Sequence, residues 1–263
     1  MTPGGRLLAG GSALAVGAGL AHALPAVTTW RELRCLLTPG LAGVGDPHHV
    51  ALTFDDGPDP ASTPAILDGL ERLHWRATFF LLGSMVRRSP ALAHEVAARG
   101  HEVGVHGDGH RSHLRQSPAA IGDDVRRCRD LIAEATGVEA RWFRPPYGTL
   151  SGGSLAAAVR LGLRTVLWTT WGRDWREEAT PATVVDDVAK GLRPGATVLL
   201  HDSDCTSAPQ SWRATLGALP ELATLFAARG LEVGPLGEHG LSRVASNRTP
   251  PSGGSSNGTN WRR

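Results

Sequence analysis

Lysine is almost missing from this chain of 263 residues: Lys190 is the only one, and arginine supplies the remaining formal positive charge. The net charge is only +2, and the basic residues stand singly or in pairs. No basic stripe exists to follow a nucleic-acid backbone, so nucleic acid is excluded as a partner. Cysteine is scarce as well. Cys35, Cys128 and Cys205 are far apart, lack metal-site spacing, and permit at most one internal bridge. The zincin pattern is missing too, because His94-Glu95 and His101-Glu102 each lack a histidine three residues after the glutamate. What remains is ordinary for a globular enzyme: 41% hydrophobic and 20% charged residues.

The two ends differ from the middle. From Leu7 to Val27 the chain carries no Asp, Glu, Lys or Arg, and one arginine, Arg6, precedes the run. Residues 1–28 therefore read as a secretory signal, with Ala21-His22-Ala23 as a cleavage site, or as a membrane anchor, the plain structural alternative being an N-terminal helix packed on the domain. The first two readings place the domain outside the cytoplasm, with membrane contact only through this segment. Residues 29–47 read as a linker. The stretch 245–263 is rich in Ser, Gly, Asn and Pro and reads as a disordered tail, with a glycosylation sequon at Asn257.

Between residues 48 and 236 a short apolar run, a polar turn, a helical segment and a glycine recur. The runs are Val50–Phe54, Ala77–Leu82, Glu102–Val105, Arg141–Phe143, Thr165–Trp168, Thr197–Leu200 and Leu231–Val233. Thr63-Pro64, Ser89-Pro90, Ser117-Pro118 and Thr180-Pro181 each put a capping hydroxyl before a proline at a helix start. About seven strands alternating with helices predict a mostly parallel sheet, either doubly wound or closed as a barrel. In both architectures chemistry gathers where strands end.

The polar residues do cluster there. The first run ends in Thr53-Phe54-Asp55-Asp56-Gly57-Pro58. Neighbouring side chains on a strand point apart, but the Gly-Pro turn lets both carboxylates converge. The third runs into His106-Gly107-Asp108-Gly109-His110, where two imidazoles four residues apart can reach one metal ion. After the fourth comes Arg144-Pro145-Pro146-Tyr147. Its prolines lack N–H groups, which leaves Tyr147 as a backbone donor and Arg144 as a partner for a carboxylate. The fifth leads to Trp168, Trp171, Asp174 and Trp175, and the sixth ends in Leu199-Leu200-His201-Asp202. Taken alone, each stretch also fits a plain structural role.

Together, in this order, they resemble the polysaccharide deacetylase family, also called carbohydrate esterase family 4 or the NodB-homology domain, over residues 48–236. The resemblance implies an α/β fold, a distorted (β/α) barrel of about seven parallel strands. It implies Asp55 as general base and Asp56, His106 and His110 as ligands of a divalent metal, Zn²⁺ first and Co²⁺ next. Arg144 would orient the base, Tyr147 would lend its N–H to the oxyanion, and His201 would be the general acid, held protonated by Asp174. Trp175 and Leu199 would line the acetyl pocket. The implied activity is removal of N-acetyl groups from an N-acetylglucosamine-type polysaccharide, peptidoglycan or chitin-like, by a monomer.

Two positions depart from the family pattern. Gly107 stands where Ser or Thr usually braces the metal loop, and Trp171 stands where an extra acid is frequent. Two other functions compete with the deacetylase: hydrolysis of a different acyl bond, and non-catalytic sugar binding. The second predicts loss of at least one catalytic position, and none is lost.

Overall fold

The computed structural model describes residue 17 and residues 19–241. The start of the expected signal or anchor segment, the tail 245–263 and the Asn257 sequon lie outside the described residues. Among the described residues, no helix is long and apolar enough to cross a membrane.

Among the described residues, eight strands form one sheet, and every strand pair is parallel. They are β1 (His49–Asp55), β2 (Thr78–Leu81), β3 (Glu102–Val105), β4 (Trp142–Phe143), β5 (Arg164–Thr165), β6 (Thr170–Trp171), β7 (Thr197–His201) and β8 (Glu232–Gly234). The path runs β5-β4-β3-β2-β1-β7-β6. β1 is the centre. One edge pairs with β7, and the other is shared between β2 at residues 53–55 and β8 at residues 49–51. The seven-strand path with its surrounding helices is a curled half-barrel, the fold class expected.

Every residue of β1 is buried, so both faces of the strand are covered. Its even positions, Val50, Leu52 and Phe54, join the large core between sheet and helices, where Phe54 stacks on Phe79 at 5.0 Å. Its odd positions face the barrel interior. There Ala51 meets Phe80, Trp142 and Val166, and Thr53 and Asp55 turn polar toward the carboxyl ends. Period-two alternation thus separates packing from chemistry within one strand.

The barrel is open between β5 and β6. Of the expected strand Thr165–Trp168 only Thr165 lies in a strand; residues 166–169 cross from β5 to β6 outside any strand, with Val166 N donating to Phe143 O and Thr169 N to Thr197 O, both at 3.0 Å. The N-terminal segment fills the gap. Residues 29–47, read as a linker, include the helices Arg31–Leu37 and Pro39–Ala42. Leu41 O accepts from Leu167 N at 2.8 Å, and Gly43 O accepts from Thr197 Oγ1 at 2.6 Å. Arg34, almost wholly buried, donates to Trp168 O at 2.7 Å.

Two of the four expected caps form. Ser117 Oγ accepts from Ala120 N, and Thr180 Oγ1 accepts from Thr183 N, both at 3.2 Å. Ser89 makes no side-chain cap. Thr63 is itself the first residue of its helix, and its hydroxyl turns inward to Asp202 at 2.5 Å. A tertiary partner has displaced the local one.

Among the described residues, burial holds several imidazoles neutral. The pKa values of His101, His113 and His239 are each pushed down to about 4, burial being the largest cause. His239 shows why the neutral form is built in. Its Nε2–H lies between Gly43 O and Gly195 O, so its Nδ1 accepts from His49 Nδ1 at 2.8 Å. A neutral folded histidine with an ordinary unfolded pKa stabilises the fold above about pH 6.5, and that contribution is lost as pH falls toward 4. The melting temperature of the metal-free protein should therefore drop steeply between pH 6.5 and 4. A flat calorimetric profile across that window would refute this account.

Candidate metal and catalytic centre

Register builds the site. Thr53 pairs with Leu199 and Asp55 with His201, so four inward residues of β1 and β7 sit side by side at the strands' carboxyl ends. Arg144, fully buried, enters from beyond β4. Its Nη1 donates to Thr53 Oγ1 at 2.8 Å and to Asp55 Oδ1 at 2.7 Å. Its Nη2 donates to Leu167 O at 2.9 Å, and the guanidinium lies 4.1 Å from the centroid of Phe80. Burial lowers the Arg144 pKa, and the Asp55 carboxylate opposes that shift.

Asp56 leaves the strand with φ +82°, a left-handed conformation rare for a non-glycine residue, which turns its side chain away from the strand's alternation. A cis Gly57-Pro58 bond follows. Gly57 N donates to Asp202 Oδ1, and a Cβ at Gly57 would meet the Asp202 carboxylate at 2.0 Å. Only glycine fits this turn. Asp202 itself is buried, and burial raises its pKa to about 7.

Asp56 Oδ1 lies 3.4 Å from His106 Nε2 and 3.5 Å from His110 Nε2. One ligand atom from each of the three residues lies within 4.8 Å of the others. His106 Nδ1–H donates to Arg144 O at 2.8 Å, which leaves its Nε2 lone pair directed at the cluster. Asp56 Oδ1 is buried without a hydrogen-bond partner. Burial works against a charged His106, yet Asp55 and Asp56 hold its pKa up. Burial likewise works against Asp56, yet His106, His201 and His110 hold its carboxyl below the usual range. An orphaned carboxylate oxygen, two imidazole nitrogens and an unmet demand for positive charge fit a divalent cation such as Zn²⁺.

The metal loop has its own brace. Gly107 has φ +100°, and a Cβ there would approach Asp124 Oδ2 to 2.8 Å. That carboxylate, from the helix Pro118–Thr136, accepts from Asp108 N at 2.9 Å. Gly83 N and Ser84 N donate to Gly107 O and Asp108 O. Asp108 pairs with Arg87 and Arg127, so it faces away from the cluster. The rigidity that a hydroxyl at 107 would supply comes here from Asp124. His113 lies apart, fully buried against Ser154 Oγ and Phe143.

Across the cavity, His201 Nδ1–H donates to Asp174 Oδ1 at 2.8 Å. Asp174 Oδ2 accepts from His201 N at 2.7 Å and from Thr215 Oγ1 at 2.6 Å. Burial would lower the His201 pKa, but Asp174 overrides it and raises the value to about 9. Leu199, Trp168, Trp171 and Trp175 close this side, and a cavity of about 280 Å³ joins them to Asp55, Asp56 and the three histidines. Trp175 stands edge-on to His201 with centroids 5.5 Å apart. Tyr147, with φ +60°, is largely exposed at the rim, its ring 4.4 Å from His110.

All ten expected site residues gather around this one centre. The reading from sequence missed Asp124, Asp202, Thr206 and Thr215. Asp202 directly follows the end of β7, where polar residues were sought, and Thr206 lies five residues past it in the same loop, whereas Asp124 and Thr215 sit within helices and carried no local signal.

A family model described as polysaccharide deacetylase matches residues 42–166. The chitooligosaccharide deacetylase of Bradyrhizobium sp. (strain ANU 289) is 37% identical over 198 residues, which cover 71% of this chain and 88% of that protein. The peptidoglycan-N-acetylglucosamine deacetylase of Bacillus cereus (strain ATCC 14579) is 37% identical over 175 residues, covering 66% and 81%. A solved structure of a carbohydrate esterase family 4 pseudoenzyme from Bacillus anthracis is similar with a TM-score of 0.67 and 29% identity, covering 74% of this chain and 66% of that one.

The brace at Gly107 makes a test. Gly107→Ser combines an unfavourable φ with a clash against Asp124 Oδ2 and should cost about 1–3 kcal/mol of stability. Gly109→Ser, whose added Cβ meets nothing nearer than Arg111 Nε at 3.5 Å, should melt close to the parent. Equal thermal melts for the two variants would show that Asp124 does not occupy that space.

Proposed function

This chain belongs to the polysaccharide deacetylase family, and we propose that it hydrolyses N-acetyl groups from an N-acetylglucosamine-type glycan outside the cytoplasm, residues 48–236 forming the catalytic domain. One observation carries the reading. Asp55, bound to Arg144, and His201, bound to Asp174, flank the Asp56–His106–His110 cluster within a single cavity.

Asp56, His106 and His110 would hold the divalent ion, Zn²⁺ by the chemistry of the donors. When bound, that ion supplies Lewis-acid polarisation of the acetyl carbonyl and makes water more acidic. Asp55 takes the proton from the attacking water. Arg144 holds Asp55 Oδ1 and leaves Oδ2 for that task. The Tyr147 N–H donates to the oxyanion that develops at the carbonyl. His201, with Nδ1 fixed on Asp174, presents Nε2 to the leaving nitrogen and gives it a proton as the C–N bond breaks. Acetate and the free amine are the products. Leu199 and Trp175 border an apolar slot that suits the acetyl methyl and excludes water from it. Trp171 and Trp168 extend this wall as a face on which a sugar ring can rest.

The substrate class follows the names of the relatives, which act on chitooligosaccharides and peptidoglycan. The extracytoplasmic place follows the apolar N-terminal run, whose Leu20, Leu24 and Val27 are exposed, as is Trp30 just beyond it. Every side chain that this reaction invokes comes from one chain, so a monomer would suffice.

Acetate release from an N-acetylglucosamine oligomer is the direct test. It should vanish with chelator and return with Zn²⁺, and Asp55→Asn should lower turnover about 10²–10⁴-fold while still binding metal. Metal-bound protein that releases no acetate, but cleaves an activated ester, would shift the reading to another acyl bond. Protein inert toward both would mark a sugar-binding relative.

The acid assignment has its own test. Asp174 raises the His201 pKa, so His201 stays protonated up to about pH 9 and loses its proton above that. Asp174→Asn should move the alkaline limb of the turnover profile to lower pH. An unmoved limb would remove His201 from the role of proton donor.

A further inference from the structure

The loop that follows β7 folds back over the turn carrying Asp56. Thr206 reaches furthest: its Oγ1–H donates to Asp56 Oδ2 at 2.6 Å, and the residue borders the catalytic cavity beside Ser207. We propose that Thr206 is a positioning residue for metal capture, its hydroxyl holding Oδ2 so that Oδ1 stays turned to His106 and His110. The inference rests on the reading of Asp56, His106 and His110 as metal ligands.

An aspartate does not choose between its two oxygens by itself, because its terminal torsion is broad and nearly two-fold. Something outside the side chain must assign the roles. Within this cluster Oδ2 has Thr206, while Oδ1 is buried without a hydrogen-bond partner and faces the two Nε2 atoms. The asymmetry is therefore present in the protein's own contacts. The donor is also fixed in place. Ser203 Oγ donates to Asp59 Oδ2 at 3.1 Å and accepts from Cys205 N at 3.1 Å. Ser207 N donates to Asp204 O at 3.0 Å, and Ala208 N donates to Trp175 O at 3.1 Å. The loop is thus tied to the Asp59 turn before Thr206 and to the aromatic wall after it. Outer hydrogen bonds of this kind orient a ligand before the ion arrives, and their loss lowers metal affinity about 10–100-fold.

The experiment measures Zn²⁺ dissociation constants by competition with a chromophoric chelator, using the full chain. Thr206→Val keeps the shape and removes the hydroxyl; Thr206→Ala removes both; Thr206→Ser keeps the hydroxyl alone. Val and Ala should weaken Zn²⁺ binding about 10–100-fold while the metal-free protein still folds, and Ser should bind as the parent does. Val binding as tightly as the parent would overturn the proposal. So would Ser binding as weakly as Val, since packing of the methyl would then matter and not the hydrogen bond. If the parent itself bound no Zn²⁺, the ligand reading underneath would fail, an outcome distinct from either of these.

Discussion

A fully buried arginine inside the barrel constrains most of what surrounds it. Taking a guanidinium out of water is costly, and an isolated one would not be tolerated there. Arg144 is tolerated because its three nitrogens all find acceptors: a hydroxyl and a carboxylate from β1, and backbone carbonyls from the strand-free crossing at residues 166 and 167. Those acceptors do more than neutralise it. The carboxylate is held by one of its oxygens, and the two carbonyls anchor the crossing between β5 and β6. Arg144 also uses its own carbonyl to fix the tautomer of His106. Asp55, His106 and the barrel opening thus depend on one residue, which makes the site and the fold hard to vary separately. Removing the guanidinium would leave Asp55 buried and unpaired, the costly half of a broken ion pair.

The same economy governs Asp55 and Asp56. They are adjacent in the chain, face one cavity, and have opposite surroundings. Asp55 ends a regular strand and meets a permanent cation. Asp56 has left the strand through a left-handed backbone and meets two imidazoles and a hydroxyl. Two carboxylates this close would normally raise each other's proton affinity. Here the positive partners are shared out between them. The Gly57–Asp202 contact locks the turn that makes the division, and the bulk of that carboxylate explains why no side chain stands at 57.

How much of this was legible in the sequence follows from the range of each interaction. Asp55, His106, Arg144 and His201 sit at or just past strand ends, where a parallel sheet must place its chemistry, so apolar periodicity located them without any contact being known. The run Thr165–Trp168 misled for an instructive reason. It is apolar like a strand, but its burial comes from Arg34, Arg144 and Leu41, and its carbonyls serve side chains and the N-terminal segment in place of a ladder. Apolar content cannot distinguish those two kinds of burial. Thr63 misled in the same way, since a capping hydroxyl and an inward-turned hydroxyl look alike until Asp202, 139 positions away, is brought beside it. Asp124 was illegible because its role exists only once a helix lies across the metal loop. The gap at Gly107 looked like a missing brace when the brace had only moved to another element.

Similarity of fold does not by itself establish an activity. The half-barrel is shared with a pseudoenzyme at a TM-score of 0.67, so the architecture alone does not separate a working hydrolase from an inert one. The charge arrangement is more discriminating. In this chain burial opposes ionisation of His106, Asp56 and His201 alike, and in each case named partners reverse it. A scaffold kept only for sugar binding has no need to bury an orphaned carboxylate oxygen beside two imidazoles, because an unpartnered polar atom in the interior lowers stability. Such an arrangement makes physical sense when a cation completes it, and the fully satisfied Asp174–His201 pair opposite makes sense when a proton must leave from there. The electrostatic cost of the site, more than its outline, is the argument for catalysis.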